Sequence, residues 1–168
     1  VTASDISARA LERVAAASRL RGVSVEQLQV DANALDAFGP EQYDLVSAQY
    51  ASIPRTPDRR GIRNLLDAVA PGGALLVVNH DPAAMAEVRD RQPFDPDAYV
   101  SIDEFLAVLA DSEGWQVEVN EKRPRPPGAA SHHVDDVVLR ARRLERVPAT
   151  RAAHAHSQGS AGRRRQRT

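Results

Sequence analysis

Apolar positions recur along the chain with two different periods, and the switches between them mark its elements. Val1 to Ser4 is a short β-prone stretch ending at Asp5. Leu11, Val14, Ala15 and Ser18 then share one face at helical spacing, which predicts a helix over about 8–20, capped by Ser7 and stopped at Gly22. Val23, Val25, Leu28 and Val30 suggest a strand ending at Asp31, and Tyr43 to Gln49 reads as a buried strand after the Phe38-Gly39-Pro40 loop. Thr56-Pro57 reads as the cap and first residue of a helix whose face is Ile62, Leu65, Leu66 and Val69, with Pro71-Gly72-Gly73 ending it. Ala74 to Val78 is a continuous apolar run, the pattern of a strand buried on both faces. Ser101-Ile-Asp-Glu104 is a capping box opening a helix with Phe105, Leu106 and Leu109 inward and Gly114 beyond its end. Trp115, Val117 and Val119 alternate as a strand, 123–131 reads as a loop, and Val134 to Arg142 is the last strand.

The order β-α-β-β-α-β-α-β-β implies an α/β fold, Rossmann-like, with a mostly parallel sheet. No helix fits between the final two strands, so they are expected to pair antiparallel. Periodicity fades near 147, which gives an α/β domain over 1–147 and a disordered tail over 148–168.

Composition changes this picture little. The chain has 168 residues, 42% of them hydrophobic, enough for one ordinary core. It has no cysteine, which excludes disulfides, thiolate metal sites and cysteine nucleophiles. The apolar runs are too short to span a bilayer and no export leader is visible, so no membrane partner and a cytoplasmic location are expected. Charge is segregated. All 23 acidic residues lie in 1–147 against 17 basic ones, while the last 21 residues carry five arginines and no acid. That tail lacks interleaved aromatics and reads as a solvated segment, with no specific nucleic-acid partner.

The candidate chemistry sits at strand ends. In open α/β sheets ligands bind beyond the carboxyl ends of the strands. Asp5 and Asp31 end consecutive strands there and could accept hydrogen bonds from ribose hydroxyls and from an adenine amino group. Taken singly, each reads more readily as a cap or turn residue. Together they tilt the balance towards a nucleotide-like ligand. Gln49 and Tyr50 follow the third strand, and His80-Asp81 follow the apolar one. His80 and Tyr50 are the candidates for a general base, although a hydrogen-bonded loop histidine is the blander reading. His132, His133, His154 and His156 converge with no third ligand, so no metal site is expected.

TASDISARAL, VDANAL, YDLVSAQY and LLDAVAPGGALLVVNHDP, together with the closing strand pair, resemble a class I S-adenosylmethionine-dependent methyltransferase from residue 1 to about 144. The resemblance implies a seven-stranded sheet with an antiparallel last strand and S-adenosylmethionine as cofactor. Asp5 would hold its ribose, Ile6 would pack on adenine, Asp31 would accept from the adenine amino group with Ala32 beside it, and Ala48, Gln49 and Tyr50 would line the methionine end and substrate mouth. The acceptor would be a small molecule. The family's first strand and its glycine-rich loop would precede the Asp5 strand. The chain contains no GxGxG, and residue 1 is Val, so an N-terminally incomplete fold with a split sheet and weak cofactor binding is expected. Two other readings stand beside this one: a nicotinamide-dependent oxidoreductase, and a truncated fold that acts only by association.

Overall fold

The computed structural model of the chain describes residues 1–83, 95–124 and 135–145. The expected tail, the loop beyond Pro124 and the histidines at 132, 133, 154 and 156 lie outside them. Strand β1 (Thr2–Asp5) leads into helix α1 (Ala8–Arg21), then β2 (Glu26–Gln29) and β3 (Tyr43–Gln49). Helix α2 (Arg60–Asp67), β4 (Val69–His80), α3 (Ile102–Ala110), β5 (Trp115–Pro124) and β6 (Asp135–Arg143) follow. The element order is the expected one, and the fold is α/β.

The strands form two sheets. β1 and β2 pair in parallel, and β3-β4-β6-β5 form a second, four-stranded sheet. β3 and β4 run parallel, and β6 lies between β4 and β5, antiparallel to both. The closing pair is thus antiparallel, as the short connection requires. Among the described strands, β1 and β3 each pair on one edge only, which is the split expected from the resemblance.

One face of the larger sheet carries the core. Leu75 and Val77 of β4 and Leu139 and Ala141 of β6 pack against Ile62, Leu65 and Leu66 of α2 and Phe105, Val108 and Leu109 of α3. The register explains the set, because Leu75 lies opposite Ala141 and Val77 opposite Leu139. The opposite face of β4 (Ala74, Leu76 and Val78) is half-exposed, so the apolar run is not sealed on both sides as its composition suggested.

Three local expectations are corrected. Helix α2 starts at Arg60, not at Thr56-Pro57, because Arg59 takes a left-handed φ of 53° that breaks the helix between them. The N-cap residue is Arg59 and not Thr56, although the Thr56 hydroxyl accepts from the Arg60 N–H at 2.9 Å. Pro71-Gly72-Gly73 does not end that helix, which stops at Asp67; these residues lie inside β4 as an irregularity of the ladder. Tyr43 pairs with Val69 and Leu45 with Ala74, so β4 bulges there. Glycine is needed at 73, where a Cβ would come within 2.8 Å of the Ala70 carbonyl oxygen and 3.0 Å of the Tyr43 and Asp44 carbonyls. Val69 consequently belongs to β4 and not to the helix face.

Candidate functional site

The loops after β2 and β3 meet at one end of the molecule, and asparagines make the join. The Asn33 side chain donates to the Pro54 carbonyl at 3.0 Å and accepts from the Gly61 N–H at 2.9 Å. Asn64 of α2 donates to the carbonyls of Ala32 and Ala34 at 2.7 and 2.9 Å. Gly61 must lack a side chain here, since a Cβ would stand 2.6 Å from Ile53 and 2.8 Å from Asn33 Oδ1. The clasp brings the carboxyl ends of the two sheets to a common rim. Sequence reading missed both asparagines, because nothing in periodicity distinguishes an amide that bridges two loops from one on a surface.

Asp5 and Asp31 lie on this rim. The Val30 N–H donates to the Asp5 carbonyl at 3.1 Å, but β2 ends at Gln29, so Asp31 does not end that strand as expected and lies two residues past it, beside the tip of β1. Both residues are exposed. Each caps its own turn: Asp5 Oδ1 accepts from the Ser7 N–H at 2.7 Å, and Asp31 Oδ1 from the Asn33 N–H at 2.8 Å. The turn role and a ligand role are compatible, since an ionised carboxylate offers about four lone-pair sites. Ile6 is 67% exposed beside Asp5. Ala32 is packed against the core, Ala48 is buried within it, and Gln49 is exposed with its amide donating to Ser47 Oγ at 3.1 Å.

The next strand tips hold a cluster of ionisable groups. Tyr50 has a left-handed φ of 52° immediately after β3, and its N–H donates to the Val78 carbonyl at 2.8 Å. That backbone costs about 1–2 kcal/mol for a residue other than glycine. It turns the phenol onto Asp136 of β6, to which the hydroxyl donates at 2.7 Å. The Tyr50 ring also lies against the His80 ring, with centroids 4.7 Å apart. His80 ends β4 directly opposite Asp136, and its Nδ1 stands 3.5 Å from Asp136 Oδ1. Next to it, Asp81 is buried and accepts from the Lys122 ammonium at 2.7 Å. That hydrogen bond holds the Asp81 carboxyl below the ordinary carboxylate range although desolvation pulls the other way, and it raises Lys122 in return. Sequence reading named Tyr50 and His80 but missed Asp136. Its strand comes 56 positions later, and only the antiparallel register brings it opposite His80.

The residues present suit a nucleoside better than an amino-acid chain. The exposed carboxylates of Asp5 and Asp31 can accept from hydroxyl and amino donors, the groups a nucleoside offers. A shallow cavity of about 280 Å³, lined by Arg63, Trp115 and Arg143 among others, opens by the start of β5, away from this rim. Among the described residues no cluster of metal-ligating side chains occurs, and no helix is long and apolar enough to cross a membrane.

No protein-family model matches the chain, and no curated protein does. Solved structures do match. A SAM-dependent methyltransferase from Methanosarcina mazei superposes with a TM-score of 0.64 at 19% identity, covering 86% of this chain and 82% of that one. The N-methyltransferase NodS from Bradyrhizobium japonicum, in complex with S-adenosyl-L-homocysteine, gives 0.62 at 18% identity over 86% of this chain and 66% of that one. The [4+2]-cyclase SpnF gives 0.59 at 19% identity over 86% and 66%. The chain has the class I methyltransferase fold.

Proposed function

From that fold and its rim of carboxylates, we propose that the protein binds S-adenosylmethionine and transfers its methyl group to a small-molecule acceptor. One observation carries the reading: Asp5, at the end of β1, and Asp31, two residues past the end of the parallel β2, are both exposed at the carboxyl edge of that strand pair. In this reading Asp5 accepts from the ribose hydroxyls, Ile6 covers one face of adenine, and Asp31 accepts from the adenine amino group beside Ala32. Ala48, Gln49 and Tyr50 lie towards the methionine end and the acceptor. The bound cofactor supplies an electrophilic methyl group on a sulfonium, and the protein's task is to bind, orient and exclude water. The fold alone does not fix the reaction, since the [4+2]-cyclase SpnF shares it.

Saturation-transfer NMR with S-adenosylmethionine tests the proposal. Adenine and ribose protons should receive more saturation than the methionine chain. Each of Asp5→Ala and Asp31→Ala should weaken binding by roughly tenfold or more, the scale of a hydrogen bond to a charged group. Absence of transfer, or transfer indifferent to both substitutions, would overturn it. The antiparallel β6 between β4 and β5 argues against a nicotinamide-dependent oxidoreductase. A purely associating protein would give no transfer at all.

A further inference from the structure

Asp31 lies past the end of β2, so strand pairing does not fix its place. Two asparagines hold the loop that carries it. Asn64 donates to the carbonyls of Ala32 and Ala34, and the Asn33 side chain donates to the Pro54 carbonyl and accepts from the Gly61 N–H. Asn33 also donates its own N–H to Asp31 Oδ1. Where Pro54 stands therefore bears on where Asp31 stands. Pro54 is the middle of a short segment, Ile53 to Arg55, that pairs antiparallel with residues 98–100. The Arg55 N–H donates to the Ala98 carbonyl and the Val100 N–H to the Ile53 carbonyl, each at 2.9 Å. Proline has no N–H, so its two neighbours supply the backbone bonds that hold it there. Arg55 adds two side-chain bonds. Its Nε donates to Glu104 Oε2 at 2.7 Å, and its Nη1 donates to the Asp97 carbonyl. A planar guanidinium can serve both acceptors at once. Glu104 belongs to the first turn of α3, where the same oxygen accepts from the Ser101 N–H. A continuous path thus runs from α3 through Arg55, Pro54 and Asn33 to Asp31.

We propose that Arg55 is a positioning residue for the nucleoside end of the site, holding the Asp31 carboxylate where the adenine amino group reaches it, by way of Pro54 and Asn33. The inference rests on the methyl-transfer reading above and extends that site to a residue that acts through others. The blander role for Arg55 is a surface ion pair that serves α3 alone. Its side chain is 40% exposed and that of Glu104 21%, and pairs this open to solvent add little to stability. The arrangement does more than such a pair requires. One residue makes three bonds to the 97–104 segment, one from its backbone and two from its side chain, and together they fix the segment that Asn33 grips. The join beyond it has no slack. A Cβ at Gly61 would stand 2.6 Å from Ile53 and 2.8 Å from Asn33 Oδ1, so segment 53–55, the Asp31 loop and the start of α2 are in close contact. Close-packed groups pass a displacement on instead of absorbing it. A shift of Pro54 therefore reaches Asn33, and through the Asn33 N–H it reaches Asp31.

The test is a set of double-mutant cycles on the full chain, read by titration with S-adenosylmethionine. Arg55→Met and Glu104→Gln should each weaken binding by about threefold to tenfold. Glutamine also serves in a capping box, so Glu104→Gln removes the charge facing Arg55 and keeps the start of α3. It also keeps the proposal open to refutation should Arg55→Met fail to fold. In an Asp31→Ala background neither substitution should weaken binding further, because the carboxylate they position is gone. In an Asp5→Ala background both should keep their full effect, since Asp5 lies on β1, outside the path. Arg55→Lys should restore part of the loss, as an ammonium lacks the planar fork. A merely structural role would weaken binding alike in every background. Equal losses with and without the Asp31 carboxylate, or single variants that bind as the wild type does, would overturn the proposal. A second readout needs no cofactor. The side-chain amide signals of Asn33 in the ¹⁵N spectrum of the free protein should move in Arg55→Met and in Glu104→Gln, and signals unmoved in both would overturn the path itself. A wild type that binds no S-adenosylmethionine would remove the methyl-transfer reading, and with it the ligand role of Arg55, whatever the Asn33 signals do.

Discussion

Lys122 is the only lysine of the chain, and its ammonium sits 2.7 Å from the carboxylate of buried Asp81, one residue from His80. The Asp81 carboxyl is held below the unfolded-state value of about 3.9. Its contribution to stability is therefore complete above that value and is lost as pH falls through the depressed folded-state one. Lys122, raised above about 10.4, contributes below that value and loses its contribution as pH rises through the raised one. We expect the wild type to lose more stability than Lys122→Met between pH 5 and the acid limb, read as the shift in urea midpoint of each. Equal shifts would show that the pair is screened by solvent. At the same scale, Asn64→Ala leaves the carbonyls of Ala32 and Ala34 without their donor. A loss of about 1–3 kcal/mol is expected from denaturant titration, with weaker S-adenosylmethionine binding, because the loop carrying Asp31 loses its hold on α2.

At the level of the element, caps and bulges decide more than propensity does. The capping box of α3 is present as its sequence predicts, with the Ser101 N–H donating to Glu104 at 3.0 Å. Glu104 is further engaged by Arg55 at 2.7 Å. Ser101→Ala should cost about 1 kcal/mol, measurable as a fall in Tm. Gly73→Ala should cost more than a helix-cap loss, because the added Cβ meets the backbone carbonyls of Ala70 on β4 and of Tyr43 and Asp44 on β3, which cannot move without shifting the two strands. If Gly73→Ala melts with the wild type, the bulge is not the tight crossing described. A second irregularity falls between Val117 and Val119 of β5, and it leaves Val117 exposed where strict alternation would bury it. Glu118, at the break, is aimed at Arg140 of β6 at 2.8 Å and also bonds Arg142. Alternation in the sequence could place the strand but not the break, since a bulge is fixed by what the partner strand offers.

Across the whole molecule the notable feature is a sheet in two parts joined by loops. β1 and β3 each present an edge with no strand paired to it among the described residues, and Leu45 of β3 is 57% exposed. Open edges with apolar side chains are templates for pairing with another chain. Concentration-dependent self-association is expected by light scattering on size exclusion, and Leu45→Lys should reduce it. A monomer that is unchanged up to high concentration would show that these edges are protected in solution. The core is concentrated on the larger sheet, so Leu75→Ala or Ile62→Ala should cost about 2–5 kcal/mol. Substitutions on α1, which has only Leu11 buried, should cost far less.

The division between what the chain declares and what folding decides follows from the range of the interactions. Elements set by near neighbours were legible: the capped helices at Ser7 and Ser101, the bounds of the strand Tyr43–Gln49 though not its burial, since only Ala48 of it is buried, and the antiparallel closure forced by a short connection. So was the place of Asp5 at the end of β1, because a strand tip followed by a helix is a local signal. The start of α2, the bulge at Gly73, the asparagine clasp and the pairing of His80 with Asp136 were not. Each depends on contacts between residues far apart in the chain. Register and loop packing bring those residues together, and neither leaves a period or a motif in the sequence.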